Sequence, residues 1–438
     1  MQTVMLEVAI DTTIDNLGAC RVPSPYRYQR FVTDAERVLY DGDAGRVGER
    51  LRAGLPVTSF EAAGPREDIF FDPANTRAAI VTCGGLCPGL NDVVRAIVNG
   101  LYFTYGVKRV KGVRYGFAGL NPGLGLALQE LTPETVKDVH QDGGSFLGSS
   151  RGPQPVPVMV DTLDREDIRI LFCIGGDGTL HGAEEIHQEL KRRGLKIAVV
   201  GVPKTIDNDI LLCARTFGFD TAVGEAVESL RCAHAEATGA MNGVGLVKLM
   251  GRESGFVAAH AALAEGDANF VLVPEVPFAL EGPRGLLHAL ETRLRARGHA
   301  LIVAAEGAGQ NLFADSGRDA SGNKKLGDIG VLLRDRIAAH FKALSVEASV
   351  KYIDPSYIIR SVPANPNDGV FCQFLGQQAV HAGMAGKTGL LISSWANTFV
   401  HVPIVAAIQR RKHLNPNGDL WRAVLESTGQ PEHLAEAM

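Results

Sequence analysis

Ile168–Gly182 reads IRILFCIGGDGTLHG. Its first seven residues, Ile168–Ile174, are almost wholly apolar and rich in β-branched side chains, with no alternation of polar and apolar positions. That is the character of a strand covered on both faces, as in a parallel sheet between two helical layers. The run stops at Gly175-Gly176, admits one carboxylate at Asp177, and continues through Gly178 and Thr179 into a helical pattern over His181–Arg193. Strand, glycine turn and helix in this order make one half of a βαβ unit, whose functional groups lie at the carboxyl end of the strand.

The same grammar recurs on either side. Ala78–Thr82, Ile197–Val202, Val244–Leu249, Phe270–Val273 and Leu301–Ala305 read as further short buried strands. Helical patterns occupy Val93–Leu101, Thr221–Ala237 and Arg284–Arg297. Many of the 50 glycines directly follow apolar runs, where βα turns belong. The expected fold class is α/β, with two doubly wound, mostly parallel Rossmann-like sheets. Residues 1–75 are polar, broken by Pro23, Pro25 and Gly64-Pro65, and read as an N-terminal extension. Gly317–Gly327 reads as a mobile surface loop and Trp421–Leu425 as a short helix in the C-terminal tail. No internal repeat of fixed period is present.

Bulk properties exclude several function classes. The 438 residues carry 45% hydrophobic side chains, enough for sizeable cores, and a formal net charge of −5. The charge balance shows no basic patch suited to a phosphate backbone or an anionic membrane, so no nucleic-acid and no membrane partner is expected. Glu7 and Asp11 fall where a secretory signal needs an uncharged apolar run, and no stretch of 18 apolar residues occurs. A cytoplasmic protein is expected. Seven thinly spread cysteines fit free thiols in a reducing compartment. Cys83 and Cys87 have a C-x₃-C spacing, but without a second Cys or His pair nearby the glycines between them favour a turn over zinc.

Three strand exits carry chemistry. Gly84–Asp92 (GGLCPGLND) sets backbone N–H groups and a helix start against an anion, a weak signal taken alone. In Gly175–Thr179 (GGDGT), glycines let backbone approach phosphates while Asp177 offers the hard oxygen that Mg²⁺ prefers; Asp177 as a plain helix N-cap is the compatible alternative. Pro203–Asp209 (PKTIDND) places Asp207 and Asp209 two apart, on one side of an extended segment, so that one can act on a substrate while the other handles a metal. An Asx-type turn is the bland alternative.

GGLCPGLND, GGDGT, PKTIDND and Met250–Phe256 (MGRESGF), in this order and at these separations, resemble the phosphofructokinase family. The resemblance runs from about Ala63 to about Gly389, and Lys351–Asn365 (KYIDPSYIIRSVPAN) resembles the long plant-like and trypanosomatid-like branch. It implies transfer of a phosphoryl group from Mg-ATP to the C1 hydroxyl of fructose 6-phosphate. By resemblance Asp207 is the base, Thr205 contacts the travelling phosphoryl, and Asp177 with Asp209 surrounds Mg²⁺. Arg151 matches the arginine bridging donor and acceptor phosphates. Gly85, Gly178 and Gly182 match positions lining the nucleotide, with Gly176, Thr179 and Lys204 in the same loops. Met250, Gly251, Arg252 and Glu306 match the sugar-phosphate segments, Arg360 the arginine on the 6-phosphate, and Tyr357 stands where shorter bacterial enzymes have histidine. Lys351 and Gly243 stand where those enzymes reach across from a neighbouring subunit with arginine. The family implies a homo-oligomer, dimer or tetramer, often allosteric. It also implies a donor domain of residues 76–218 and 359–410, an acceptor domain of residues 219–358, and a helical tail of residues 411–438.

Donor choice in the family is read at the fourth residue of GGDG. Gly178 leaves room and neutral charge for the α-phosphate of ATP, where pyrophosphate users carry aspartate. Lys204 is shared with pyrophosphate users, and the long ATP-using branch pairs that lysine with GGDG. A pyrophosphate-dependent enzyme and a non-catalytic regulatory subunit on the same fold are the alternatives. Lipid and NAD kinases also use GGDGT but lack the other motifs in this order.

Overall fold

The computed structural model describes residues 10–27, 30–314, 317 and 325–434. The expected loop 317–327 therefore lies largely outside the described residues, as does most of the stretch around Glu7. The chain forms two compact units: residues 1–205, 210–217 and 366–410, and residues 206–209, 218–365 and 411–438.

The first unit is built on a nine-stranded sheet. Its middle five strands are parallel, in the order Leu390–Trp395, Ala198–Pro203, Ile170–Gly175, Arg77–Thr82, Arg109–Val113. Every residue of Ile170–Gly175 and Ala198–Pro203 is buried, as their unbroken apolar runs require. Leu171 and Cys173 face a core that includes Val160 and Leu163 of helix Val156–Arg165 and Leu180 and Ile186 of helix Asp177–Arg193. The alternate residues Ile170 and Phe172 lie against Gly383 of helix Pro366–Met384, so both faces are covered. Antiparallel strands finish the sheet: Gln129–Leu131 at one edge, then Thr398–Pro403, Ser59–Ala62 and Arg37–Leu39 at the other. Residues before Arg77 thus supply two strands of this sheet. They are fixed by Tyr40 stacked on Trp395, with ring centroids 5.3 Å apart, and by the buried cations Arg66 and Lys387, each paired to both Asp34 and Glu61.

The second unit holds a four-stranded parallel sheet in the order Phe270–Leu272, His299–Ala305, Gly243–Leu249, Ser349–Ile353. Helices Leu286–Arg297 and Ile329–Ala343 pack on Val244, Leu246 and Ile302 from one face. Helix Phe219–Thr238 lies on the other so closely that a Cβ at Gly245 would stand 2.6 Å from the Ala233 carbonyl oxygen. A Cβ at Gly243 would collide with the Ala237 carbonyl. The absence of an arginine at Gly243 therefore has a packing cause within one chain.

Candidate active site

In the first unit the three loops singled out by sequence leave neighbouring parallel strands at their carboxyl ends. Strand pairing runs on into the loops: Cys83 N–H donates to Ile174 O at 3.0 Å and Lys204 N–H to Gly175 O at 2.9 Å. The buried Lys204 donates its ammonium to Gly85 O at 2.7 Å, so one side chain ties the third loop to the first. Ser149 Oγ donates to Gly84 O at 2.6 Å and Gly84 N–H to Ser150 O at 3.3 Å, which sets the exposed Arg151 beside the same glycine loop. Thr205 accepts at its carbonyl from Thr216 Oγ1 at 2.7 Å.

Gly176 is the N-cap of helix Asp177–Arg193, and Asp177 is its first helical residue, at the positive end of the helix with its side chain 30% exposed. A Cβ at Gly178 would meet nothing within 4 Å, so the loop keeps open space there. Gly175 has the opposite reason to be glycine, since a Cβ would collide with the buried Thr179 side chain. Gly182 allows close approach of the Phe117 ring, which would stand 2.7 Å from a Cβ. The two thiols of CGGLC have separate packing roles. Burial pushes the Cys83 thiol up to about 12, against the pull of the Phe117 amide and Lys204, and Cys87 donates to Phe217 O at 3.2 Å.

The second unit brings together Asp207, Asp209, the segment Met250–Gly255 and Glu306. Ser254 Oγ donates to Asp207 O at 3.0 Å, tying the TIDND motif to the MGR segment. Gly251 has φ +134°, a conformation that side-chain-bearing residues rarely adopt, and accepts at its carbonyl from Gly307 N–H at 3.1 Å. A Cβ at Gly307 would collide with the Arg252 carbonyl, so the two strand-end loops touch backbone to backbone. Burial pushes the Glu306 carboxyl up, against the pull of Arg252 and Lys248. Arg360 stacks its guanidinium 4.8 Å from the centroid of the exposed Tyr357 ring, and its Nε is buried without a hydrogen-bond acceptor among the described residues. Lys351 stands apart from these strand ends. It is exposed, lies opposite Gly245 in the register and 3.9 Å from Glu236, roughly 13 Å of strand before the exit at Leu249.

Sequence reading missed several residues here. Buried Asp209 accepts from Arg411 at 2.7 Å, Lys412 N–H donates to Asp209 O at 2.8 Å, and Lys412 Nζ donates to Asn208 Oδ1 at 3.1 Å. The available signal was the run Arg410–His413, four basic residues shortly after helix Ile404–Ala407. Lys248, 2.8 Å from Asp354 and 3.1 Å from Asp328, is held charged above its usual range by those carboxylates although burial works against it. Gly307 gave no signal beyond following Glu306.

The Phosphofructokinase family model matches residues 77–383. The chain is 48% identical to the ATP-dependent 6-phosphofructokinase of Borreliella burgdorferi, over 96% of this chain and 97% of that one. It is 50% identical to the enzyme of that name from Trypanosoma brucei brucei, over 95% and 87% of the two chains. The chloroplastic ATP-dependent 6-phosphofructokinase 5 of Arabidopsis thaliana is 48% identical over 94% and 78%. Among solved structures, the pyrophosphate-dependent phosphofructokinase of Marinobacter aquaeolei shares the fold, with a TM-score of 0.66 over 81% of this chain and 91% of that one at 20% identity. A phosphofructokinase of Pichia pastoris does so with a TM-score of 0.63 over 81% and 37% at 22% identity. With a family match spanning most of its length and relatives near half-identical across nearly all of it, the chain belongs to the phosphofructokinase family.

Proposed function

We propose that this protein is an ATP-dependent 6-phosphofructokinase, which moves the γ-phosphoryl of Mg-ATP to the C1 hydroxyl of fructose 6-phosphate and yields fructose 1,6-bisphosphate and ADP. The observation that carries the donor assignment is the open, uncharged space at Gly178 in the GGDG loop. An aspartate there would set a carboxylate against the α-phosphate.

The first unit binds the donor. Its glycine loops offer backbone N–H groups, Lys204 holds the first of them in place, and Arg151 and Thr205 bind the phosphoryl being transferred. Asp177 is a partly exposed carboxylate at a helix start among glycines, a donor set that fits Mg²⁺. Bound there, Mg²⁺ would neutralise charge on the polyphosphate oxygens. The second unit binds the acceptor: Arg252 and Arg360 take the 6-phosphate, Glu306 and the Met250–Gly251 backbone the sugar. Asp207 accepts the C1 hydroxyl proton, and needs no large pKa shift because the nucleophile in phosphoryl transfer is oriented more than pre-ionised. Asp209, held by Arg411, fixes the turn that presents Asp207. Seven thinly spread cysteines support a cytoplasmic setting, and the family implies a homo-oligomer. Among the described residues no helix is long and apolar enough to cross a membrane.

The test is fructose 1,6-bisphosphate formation by the purified chain from fructose 6-phosphate with ATP or pyrophosphate. Turnover with ATP is expected. Turnover with pyrophosphate alone would transfer the assignment to the pyrophosphate-dependent class, and none with either donor would leave a regulatory subunit.

A further inference from the structure

Away from the strand exits that carry the acceptor site, the second unit gathers three metal-ligating side chains that the phosphoryl-transfer reading does not use. His234 lies near the end of helix Phe219–Thr238, Glu265 is the last residue of helix Phe256–Glu265, and Asp267 follows in the next turn. One imidazole nitrogen and two carboxylate oxygens lie within 4.8 Å of one another. His234 Nδ1 is 3.3 Å from Asp267 Oδ2 and 3.6 Å from Glu265 Oε1. Those separations are long for hydrogen bonds. They match the edge of a tetrahedron of ligands, about 3.3 Å when each ligand is about 2.05 Å from a central Zn²⁺.

The arrangement is built rather than incidental to an exposed surface. The Glu265 side chain is 2% exposed, and its second oxygen is fixed by the Asp267 N–H at 2.9 Å, so the oxygen toward His234 is oriented by a backbone bond. The Asp267 side chain is 62% exposed, which leaves an entry path. A second imidazole, His299 at the start of strand His299–Ala305, has its ring centroid 5.5 Å from that of His234. These residues stand at the amino ends of the sheet strands, whereas Gly251 and Glu306 stand at the carboxyl ends.

We propose that His234, Glu265 and Asp267 form a divalent-metal site selective for Zn²⁺ over Mg²⁺ and Ca²⁺. An imidazole nitrogen in the donor set favours borderline ions over the hard cations that need oxygen alone. The site ties the end of one helix to the turn that ends the next. It is separate from the Mg²⁺ that accompanies ATP, and stands or falls independently of the reaction assigned above.

The experiment uses the full chain stripped with chelator, without nucleotide, titrated with Zn²⁺ calorimetrically and with Co²⁺ for its visible d–d absorption. One equivalent of Zn²⁺ bound at micromolar or tighter affinity is expected, with a Tm rise of at least about 2 °C at a hundredfold excess over Kd. Mg²⁺ at equal concentration should give neither effect. His234→Gln and, separately, Asp267→Asn should each weaken Zn²⁺ binding at least about 100-fold and abolish the Co²⁺ band, with kcat for phosphoryl transfer unchanged. Asp267→Asn changes an exposed side chain and guards against misfolding as the cause of lost binding. Absence of stoichiometric Zn²⁺ binding, or binding that survives both substitutions, would overturn the proposal and leave the cluster an ion pair of His234 with two carboxylates.

Discussion

At the scale of single residues the proposed chemistry rests on one glycine and one aspartate with opposite requirements. Gly178 matters for what it leaves out. Because a Cβ there meets nothing within 4 Å, Gly178→Asp introduces charge without steric conflict. Like charges about 4 Å apart repel by about 1–4 kcal/mol between bulk water and a protein surface. The KM for ATP is therefore expected to rise at least about tenfold, while folding stability stays within about 0.5 kcal/mol of the parent. Steady-state kinetics with ATP and a denaturant titration check both halves, and unchanged ATP kinetics would remove Gly178 from donor selection. Asp207 matters for what it accepts. Asp207→Ser keeps a small polar group but not the base, and should lower kcat by about 10²–10⁴-fold while the KM for fructose 6-phosphate moves less than about threefold. A near-parental kcat would move the base elsewhere.

Elements place these residues, and the quality of the placement depends on backbone contacts that no motif spells out. The loops after Gly243–Leu249 and His299–Ala305 meet at Gly251 and Gly307, with the Arg252 carbonyl where a side chain at 307 would have to go. Gly307→Ala should push the MGR segment outward, cost about 1–3 kcal/mol, and raise the KM for fructose 6-phosphate more than that for ATP. Equal changes in both constants would argue for a general loss of packing. The strands bearing the motifs could be read from sequence because they are covered on both faces, which makes Ile170–Gly175 a continuous apolar run. Arg109–Val113 and Ser349–Ile353 could not, because each carries polar residues on a partly open face: Lys111 reaches Glu130, and Lys351 approaches Glu236. Ser59–Ala62 was hidden by Glu61, a buried acid that is tolerable only because Arg66, Lys387 and His401 surround it. The glycine loops at the strand exits and the aspartate pair of Pro203–Asp209 were readable as local motifs. The Arg411–Asp209 pair was not, since its partners are 202 residues apart and nothing local in either segment implies the other.

On the scale of the whole chain, one part of the response of folding to pH comes from a histidine buried as a neutral group. His381, in helix Pro366–Met384, is hydrogen-bonded at Nδ1 to the buried Tyr105 hydroxyl at 2.7 Å, and burial, helped by Arg66 and His401, pulls its pKa down to about 4. The folded state therefore holds the neutral ring, while the unfolded chain takes up a proton below about 6.5. This group's contribution is whole above about 6.5, declines as the pH falls, and is exhausted near 4. Across that window the loss amounts to roughly 3 kcal/mol. His381→Asn keeps a hydrogen-bonding partner for Tyr105 and removes the titration. The variant should be less stable than the parent at pH 8, and the gap between the two should narrow by up to roughly that amount as the pH approaches 4. Comparing the two proteins at each pH cancels the carboxylates that titrate in both. The two tryptophans make the assignment local, since Trp395 belongs to the first unit and Trp421 to the second. In a Trp421→Phe background, urea midpoints followed by Trp395 fluorescence report the unit that contains His381. A gap that stays constant from pH 8 to pH 4 would mean that the folded protein takes up the proton on His381 at the same pH as the unfolded chain, and would remove this group from the pH response.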